Sequence, residues 1–195
     1  MARSKKQADP LGRYYTPPAF ARQCVDKVLP WFPVRPYCRI LEPSAGGGSF
    51  LGPLRRGFPS ATITAIDLDP GGTIVLPEGI EAIERRDFLT YRFDRGFDLI
   101  VGNPPFHHGQ EFVEKALTLA PVVVFLLRLG FLASLKRWQF WTQNPPAKVF
   151  VLPKRPSFTG DGGVDRYDYC FVGWQSGTYQ TRLHWLPPLS NEVKA

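Results

Sequence analysis

Asn103-Pro104-Pro105-Phe106 places a carboxamide, two imino-acid residues and an aromatic ring in four consecutive positions. They follow Phe97-Asp98-Leu99-Ile100-Val101, a short apolar run that reads as a buried strand, and Gly102. Two prolines in succession cannot continue a strand or open a normal helical turn, so the backbone must leave the sheet as a rigid loop. An amide side chain and free carbonyls then point into the crevice beyond the strand's carboxyl end, with an aromatic ring beside them. Such a loop can hold a planar amino group by two hydrogen-bond acceptors and stack a ring on its face. That is the chemistry needed to transfer a group onto the exocyclic nitrogen of a nucleobase.

A second cluster runs from Glu42 through Pro43, Ser44, Ala45, Gly46, Gly47, Gly48 and Ser49 to Phe50 and Leu51. A glycine loop between a first strand and a helix lets backbone amides approach a ligand closely. The run departs from the GxGxxG pattern of dinucleotide folds at its last position, and a carboxylate at Glu42 would repel a pyrophosphate. It would welcome a cationic amino group. S-adenosylmethionine carries an ammonium and a sulfonium centre and no phosphate. A lone glycine cluster also fits a plain tight turn.

Acids at the ends of the next strands narrow the choice. Asp67 follows the glycine loop by about 20 residues, where a carboxylate accepts from ribose hydroxyls; Asp67 or Asp69 alone would equally suit a helix N-cap. Asp87 is placed to accept from an adenine amino group, with Phe88 against the ring, or to be a solvated turn acid. Three acids at the carboxyl ends of successive strands converge on the switch point of a sheet.

The elements that must position these groups follow from periodicity and breakers. Pro17-Pro18 opens an apolar-periodic helix over Ala19 to Leu29, which Thr16 can cap. Strands are expected at Cys38–Leu41, Ala61–Ile66, Ile80–Glu84, Phe97–Val101, Pro121–Leu127, Val149–Leu152 and Tyr169–Trp174. Pro70 begins a weak helix kept short by Gly71, Gly72 and Pro77. Gly109–Ala120 is amphipathic, with Phe112, Val113, Ala116, Leu117 and Ala120 on one face, and Phe131–Trp141 reads as a further helix. Alternating strands and helices imply an α/β, doubly wound, mostly parallel seven-stranded sheet. A tight connection through Gly160-Asp161-Gly162-Gly163 implies a final antiparallel hairpin. The stretch after about residue 175, with Pro187-Pro188, carries no convincing element.

Composition sets wider bounds. The 195 residues suit one domain, and a net charge of +7 with pI near 9.5 suits a polyanionic partner. Cys24, Cys38 and Cys170 are few, odd in number and far apart, which argues against a disulfide framework or zinc site. No apolar stretch approaches a membrane span. Arg3, Lys5 and Lys6 have no apolar region behind them, so residues 1–12 read as a flexible basic tail and a cytoplasmic location is expected. His107 and His108 lack a third ligand, so no metal is expected; they suit substrate contact or capping of the next helix.

With these motifs in place, the chain resembles the Rossmann-like class I S-adenosylmethionine-dependent methyltransferases. More narrowly it resembles the N6-adenine DNA methyltransferases of the gamma motif order, especially short phage-type members. Tyr14-Tyr15-Thr16-Pro17-Pro18 is similar to the family's N-terminal cofactor motif, whose Thr-Pro contacts the methionine end. Leu41 to Phe50 matches the glycine-loop motif, Ala65 to Pro70 the ribose motif, Asp87-Phe88 the adenine motif and Asn103-Pro104-Pro105-Phe106 the catalytic motif.

The resemblance implies cofactor contacts by Tyr15, Thr16, Pro17, Glu42, Ser44, Ala45, Gly46, Gly48, Asp67, Leu68, Asp87, Phe88 and Asn103. It implies base flipping and direct in-line transfer at Asn103, Pro104, Pro105 and Phe106. Phe158 becomes the second face of the base pocket, or an ordinary packed aromatic. Among the basic residues Lys136, Arg137, Lys148, Lys154, Arg155 and Arg166, those near the crevice are expected to face phosphates of a nucleic acid, DNA above all. The loop Thr159–Asp165 would close over substrate or be a plain hairpin tip. Residues 13–195 are expected to form a single methyltransferase domain without the long target-recognition region of larger members, which implies weak or short sequence preference, dimerisation or a single-stranded substrate. Rival readings are an RNA adenine-N6 enzyme, a protein glutamine N5-methyltransferase, a silent nucleic-acid-binding module, and a dehydrogenase, the last disfavoured by Glu42.

Overall fold

Val122–Arg128 is apolar at every position but the last because both of its faces are covered, and its six residues before Arg128 are all buried. This strand, β5, is central to a sheet that also contains β1 (Arg39–Glu42), β2 (Thr62–Asp67), β3 (Glu84–Arg85) and β4 (Leu99–Gly102). β6 (Lys148–Val151), β7 (Tyr169–Gln175) and β8 (Arg182–Trp185) complete it in the order β3-β2-β1-β4-β5-β7-β6-β8. The first five strands are parallel, while β7 runs antiparallel to both β5 and β6. The computed structural model describes residues 15–71, 75–158 and 165–189. The expected basic tail 1–12, Tyr14 and the Gly160–Gly163 loop lie outside these described residues.

Alternate side chains of the strands feed two cores, as a period of two requires. Ile40, Ile63, Leu99, Val122, Val124, Leu126 and Phe171 pack under α1 (Pro18–Gln23), the π-helical turn Cys24–Val28 that continues it, and α2 (Leu51–Gly57). Leu41, Ile66, Ile100, Val123, Phe125, Leu127 and Val172 pack on α3 (Gly109–Leu119) and α4 (Trp138–Gln143). Each fully buried aliphatic or aromatic side chain contributes roughly 1.5–3 kcal/mol. The doubly wound sheet is therefore as expected, and it brings the carboxyl ends of β1, β2 and β4 side by side.

Several expectations need correction. The first helix starts at Pro18 with Pro17 at its N-cap, and no side chain caps it, so Thr16 is a buried residue rather than a cap. The helix expected from Pro70 is absent among the described residues: the Gly71 amide turns back to the Gly46 carbonyl (3.4 Å), and Gly79 adopts φ +74°. The third strand shrinks to Glu84–Arg85, since β2 is its sole neighbour in the sheet. The helix expected over Phe131–Trp141 splits into two 3-10 turns and α4, with extended backbone at Ala133 and Ser134 between the turns. An eighth strand, β8, extends the seven that were expected. It is an edge element that depends on pairing with β6 and on the stack of Phe150 on His184 (4.9 Å between centroids).

The three thiols are buried core groups, and burial pushes that of Cys170 up to about 12. Among the described residues no helix is long and apolar enough to cross a membrane, and no group of three or more His, Cys, Asp or Glu side chains could hold a metal ion.

Gly173 in β7 faces the Phe32 ring so closely that a Cβ there would collide with it. Gly173→Ala should destabilise the protein by about 1–3 kcal/mol through overpacking. Urea denaturation measures this; an unchanged midpoint would show that Phe32 moves freely.

Candidate active site

The cleft forms where β1, β2 and β4 end. Gly46 (φ +50°) and Gly48 (φ +71°) take left-handed conformations that an L side chain rarely adopts, which is why the loop after β1 is glycine-rich. The Asp67 carboxylate holds this loop: one oxygen accepts from the Gly46 amide (2.7 Å), the other from the Asp69 amide (2.8 Å). Ala45 N donates to the Ile66 carbonyl (3.0 Å), and the Ser44 hydroxyl donates to the Asn103 carbonyl (3.0 Å). Three loops from three strands are thereby cross-linked around one space.

That space is a cleft of about 270 Å³. Of the expected site residues it is lined by Tyr15, Thr16, Glu42, Ser44, Ala45, Gly46, Asp67, Leu68, Asp87, Asn103, Pro104 and Pro105. Gly47, Ser49, Phe50, Asp69, Leu89, His107, His108 and Phe112 line it too. Pro17 and Gly48, also expected to contact cofactor, are not among the lining residues. Tyr15 lies across Gly46, whose added Cβ would come within 3.0 Å of the ring, and across Gly71.

Phe88 is not in the cleft. It is buried, with its ring 4.9 Å from that of Phe112, and Phe112 together with Leu89 presents the apolar wall instead. The reason is local. Asp87 Oδ1 accepts from the Leu89 amide (2.9 Å) and Oδ2 from the Thr90 hydroxyl (3.1 Å), and this turn sends Phe88 into the core and Leu89 outward. Lys115 secures the turn by donating to the Leu89 (3.0 Å) and Tyr91 (2.6 Å) carbonyls, and desolvation lowers its pKa. Residue type alone favours Phe88 as the ring contact; nothing short of the turn hydrogen bonds reveals Leu89.

Glu42 is the electrostatic centre. It is 1% exposed, and its Oε2 has no hydrogen-bond partner among the described residues. Burial, reinforced by the Asp67 charge, raises its pKa well above the ordinary carboxylate range. Asp67, Asp69 and Asp87 also line the cleft, and no Lys or Arg does among the described residues. A cleft lined by four carboxyl groups, of which Asp69 pairs with Arg85 (2.7 Å), and by no Lys or Arg among the described residues suits a cationic, phosphate-free nucleoside and opposes a dinucleotide. These residues fit S-adenosylmethionine: the glycine loop offers close backbone approach, Glu42 an unpaired acceptor, and Leu89 and Phe112 an apolar wall.

The Phe106 ring sits to one side of the cleft. Phe106 packs against Phe158 (6.0 Å) and Tyr169 (5.4 Å), and the Arg128 guanidinium lies over it at 4.5 Å, also facing Tyr167 at 4.1 Å. Phe106 and Phe158 thus touch edge to face, and neither lines the cleft. The Tyr169 hydroxyl donates to Asp165 (2.6 Å), and burial pushes its pKa upward. Arg128 and Tyr167 were not anticipated. The basic residues expected to meet substrate lie outside the cleft: Arg155 pairs with Asp168 (2.8 Å), Arg137 caps the Phe131 carbonyl (3.2 Å), and Lys136 and Lys154 are exposed. His108 occupies the N-cap of α3 without a side-chain capping bond.

No protein-family model matches the chain. Over 104 residues it is 31% identical to the Type II methyltransferase M.CvrRI of Paramecium bursaria Chlorella virus XZ-6E, covering 53% of this chain and 26% of the relative. Over 99 residues it is 35% identical to the Type II methyltransferase M.TthHB8I of Thermus thermophilus, covering 49% of this chain and 21% of the relative. The matched segment spans about a quarter of the length of these curated relatives.

The structure aligns with a candidate class I S-adenosylmethionine-dependent methyltransferase from Listeria monocytogenes (TM-score 0.68, 11% identity, 95% of this chain and 69% of that one). It also aligns with a type I restriction-modification methyltransferase subunit from Streptococcus thermophilus (TM-score 0.68, 13% identity, 91% and 48%). The chain has the fold of the class I S-adenosylmethionine-dependent methyltransferases, and S-adenosylmethionine is the cofactor that this fold implies for the cleft.

Because the Glu42 carboxyl binds its proton more tightly in the folded than in the unfolded chain, its contribution to stability is complete below the ordinary carboxylate pKa of about 4.3. It is lost as pH rises through the raised value. Glu42→Gln should therefore gain stability relative to the parent across that window in ligand-free protein. Urea midpoints over a pH series test this, and parallel pH profiles for the two proteins would contradict it.

Proposed function

We propose that the chain transfers the methyl group of S-adenosylmethionine to the exocyclic N6 of adenine in DNA, with weak or short sequence preference. The observation that carries this reading is the junction of the acidic cleft, lined by no Arg or Lys among the described residues, with the Asn103-Pro104 corner through the Ser44–Asn103 hydrogen bond. The names of the curated relatives, Type II methyltransferases and a modification methylase, support a DNA substrate.

Glu42, the glycine loop, Asp67 and Asp87 would hold the cofactor, which supplies an electrophilic methyl group on sulfur. The rest falls to the chain's own residues. The adenine amino nitrogen is a poor nucleophile because its lone pair is delocalised into the ring. The Asn103 side-chain oxygen and the Pro104 carbonyl accept its two hydrogens, localise the lone pair and aim it into the cleft. The diproline keeps both acceptors in place without reorganisation. No strong base is needed, since the nitrogen becomes acidic as it is alkylated and releases its proton past Asn103 to solvent. Phe106 and Phe158 offer rings on which an extruded base can stack, worth about 1–3 kcal/mol per base. Pro105 fixes the entry to the 3-10 turn Phe106–His108 that sets the Phe106 ring.

Incubation with labelled S-adenosylmethionine and separate pools of duplex DNA, single-stranded DNA, RNA and protein tests the proposal. Mass spectrometry should find N6-methyldeoxyadenosine; label confined to RNA or protein overturns it. Asn103→Ala should lower the methylation rate about 10²–10³-fold, the scale of removing one positioned polar group, and leave calorimetric cofactor affinity nearly unchanged. Asp67→Ala frees the Gly46 amide and should weaken cofactor binding by about 1–3 kcal/mol; an unaltered dissociation constant would count against its role.

A further inference from the structure

Leu135 is 93% exposed and Trp138 is 65% exposed, although both are large apolar side chains. They stand three positions apart where a 3-10 turn, Leu135–Arg137, runs into α4, so they rise from the same side of one turn. Lys136 and Arg137 lie between them. Leu132, Ser134, Trp141 and Thr142 complete a shallow groove beside the pair.

This turn is firmly seated. Arg137 donates to the Phe131 carbonyl (3.2 Å) and lies over the Phe131 ring (4.4 Å). The Phe131 ring packs on Trp141 (5.4 Å) and against Gly109, the first residue of α3. Gly109 directly follows His107 and His108, which line the cleft. The segment also leaves the carboxyl end of β5, which pairs in parallel with β4, the strand that delivers Asn103. The protruding pair is therefore anchored to the rim of the site and projects from a rigid base.

We propose that Leu135 and Trp138 form a wedge that enters the base stack of duplex DNA beside the adenine delivered to Asn103, while Lys136 and Arg137 meet the flanking phosphates. The inference rests on the adenine-N6 reading and deepens it. Charge selects the occupant: two cations interleave the apolar pair in a protein of net charge +7, which matches a polyanion that also offers an apolar interior between its bases. Extruding a base from a duplex costs unpairing and unstacking, and apolar side chains filling the gap offset that cost. A single strand has no stack to hold open. The wedge thus matters for duplex DNA and not for denatured DNA.

The test uses bacterial genomic DNA free of N6-methyladenine, native and heat-denatured, with the full chain and labelled S-adenosylmethionine. Leu135→Ala and Trp138→Ala should each slow methylation of native DNA about ten-fold, a stabilisation of roughly 1.4 kcal/mol, and leave the denatured-DNA rate unchanged. Leu135→Met, which keeps a bulky apolar side chain, should restore the native-DNA rate. Cofactor affinity by calorimetry reports folding of each variant. Equal losses on both DNA forms, or no loss on native DNA, overturn the wedge and leave the adenine-N6 reading standing. A parent protein that labels neither form overturns both. Light scattering that shows a dimer dissolved by either alanine variant overturns the wedge in favour of a contact between copies.

Discussion

One carboxylate holds the site in shape. Asp67 accepts from the Gly46 amide with one oxygen and from the Asp69 amide with the other, so a single side chain at the end of β2 fixes the loop after β1 and its own loop. The Ser44–Asn103 bond extends the link to the loop after β4. Backbone groups in these loops are otherwise short of ladder partners, and an unsatisfied buried amide costs about 1–3 kcal/mol. Preorganisation of the cleft is therefore a by-product of satisfying hydrogen bonds at the edge of the sheet. A carboxylate that does this has part of its accepting capacity committed within the fold.

Glu42 works in the opposite sense. Its burial without a partner for Oε2 is a local cost borne by the folded chain. Such a cost persists where function needs it, and here the buried acid lies among three further carboxyl groups, with no Lys or Arg among the described residues that line the cleft. An ammonium group entering this environment would stabilise the ionised acid, so the charge pattern selects among nucleoside ligands. Polyphosphates are opposed and cationic nucleosides favoured. The same logic explains why the basic side chains lie outside the cleft: placed inside, they would neutralise the acids that give the site its preference.

The aromatic cluster beside the Asn103 corner divides labour in a way that residue type does not disclose. Phe106, Phe158 and Tyr169 contact one another, and the Arg128 guanidinium lies over the Phe106 and Tyr167 rings. Phe88 and Phe112 form a separate pair, of which one ring backs the other. The cleft and the Phe106 cluster thus carry different aromatic surfaces, on either side of the diproline corner. In the proposed reaction the rigid corner matters more than any one ring, since it would place the two hydrogen-bond acceptors at the boundary between the surfaces.

Much of this was legible in the chain itself. Apolar alternation and breakers placed Asp67, Asp87 and Asn103 just past the ends of strands, because strand length and proline or glycine termination are local properties. The run at Gly46–Gly48 and the Asn103-Pro104-Pro105-Phe106 corner likewise declared backbone conformations that few other residues adopt. Tertiary structure alone decided the rest. β8 exists because β6 offers it a partner, Leu89 replaces Phe88 because a turn bonded to Asp87 and clamped by Lys115 rotates the chain, and the Phe131–Trp141 helix breaks at Ala133 and Ser134, after the turn that seats Phe131 against Gly109. These outcomes depend on groups far apart in sequence whose meeting is set by how the strands are ordered, and no local periodicity encodes that order.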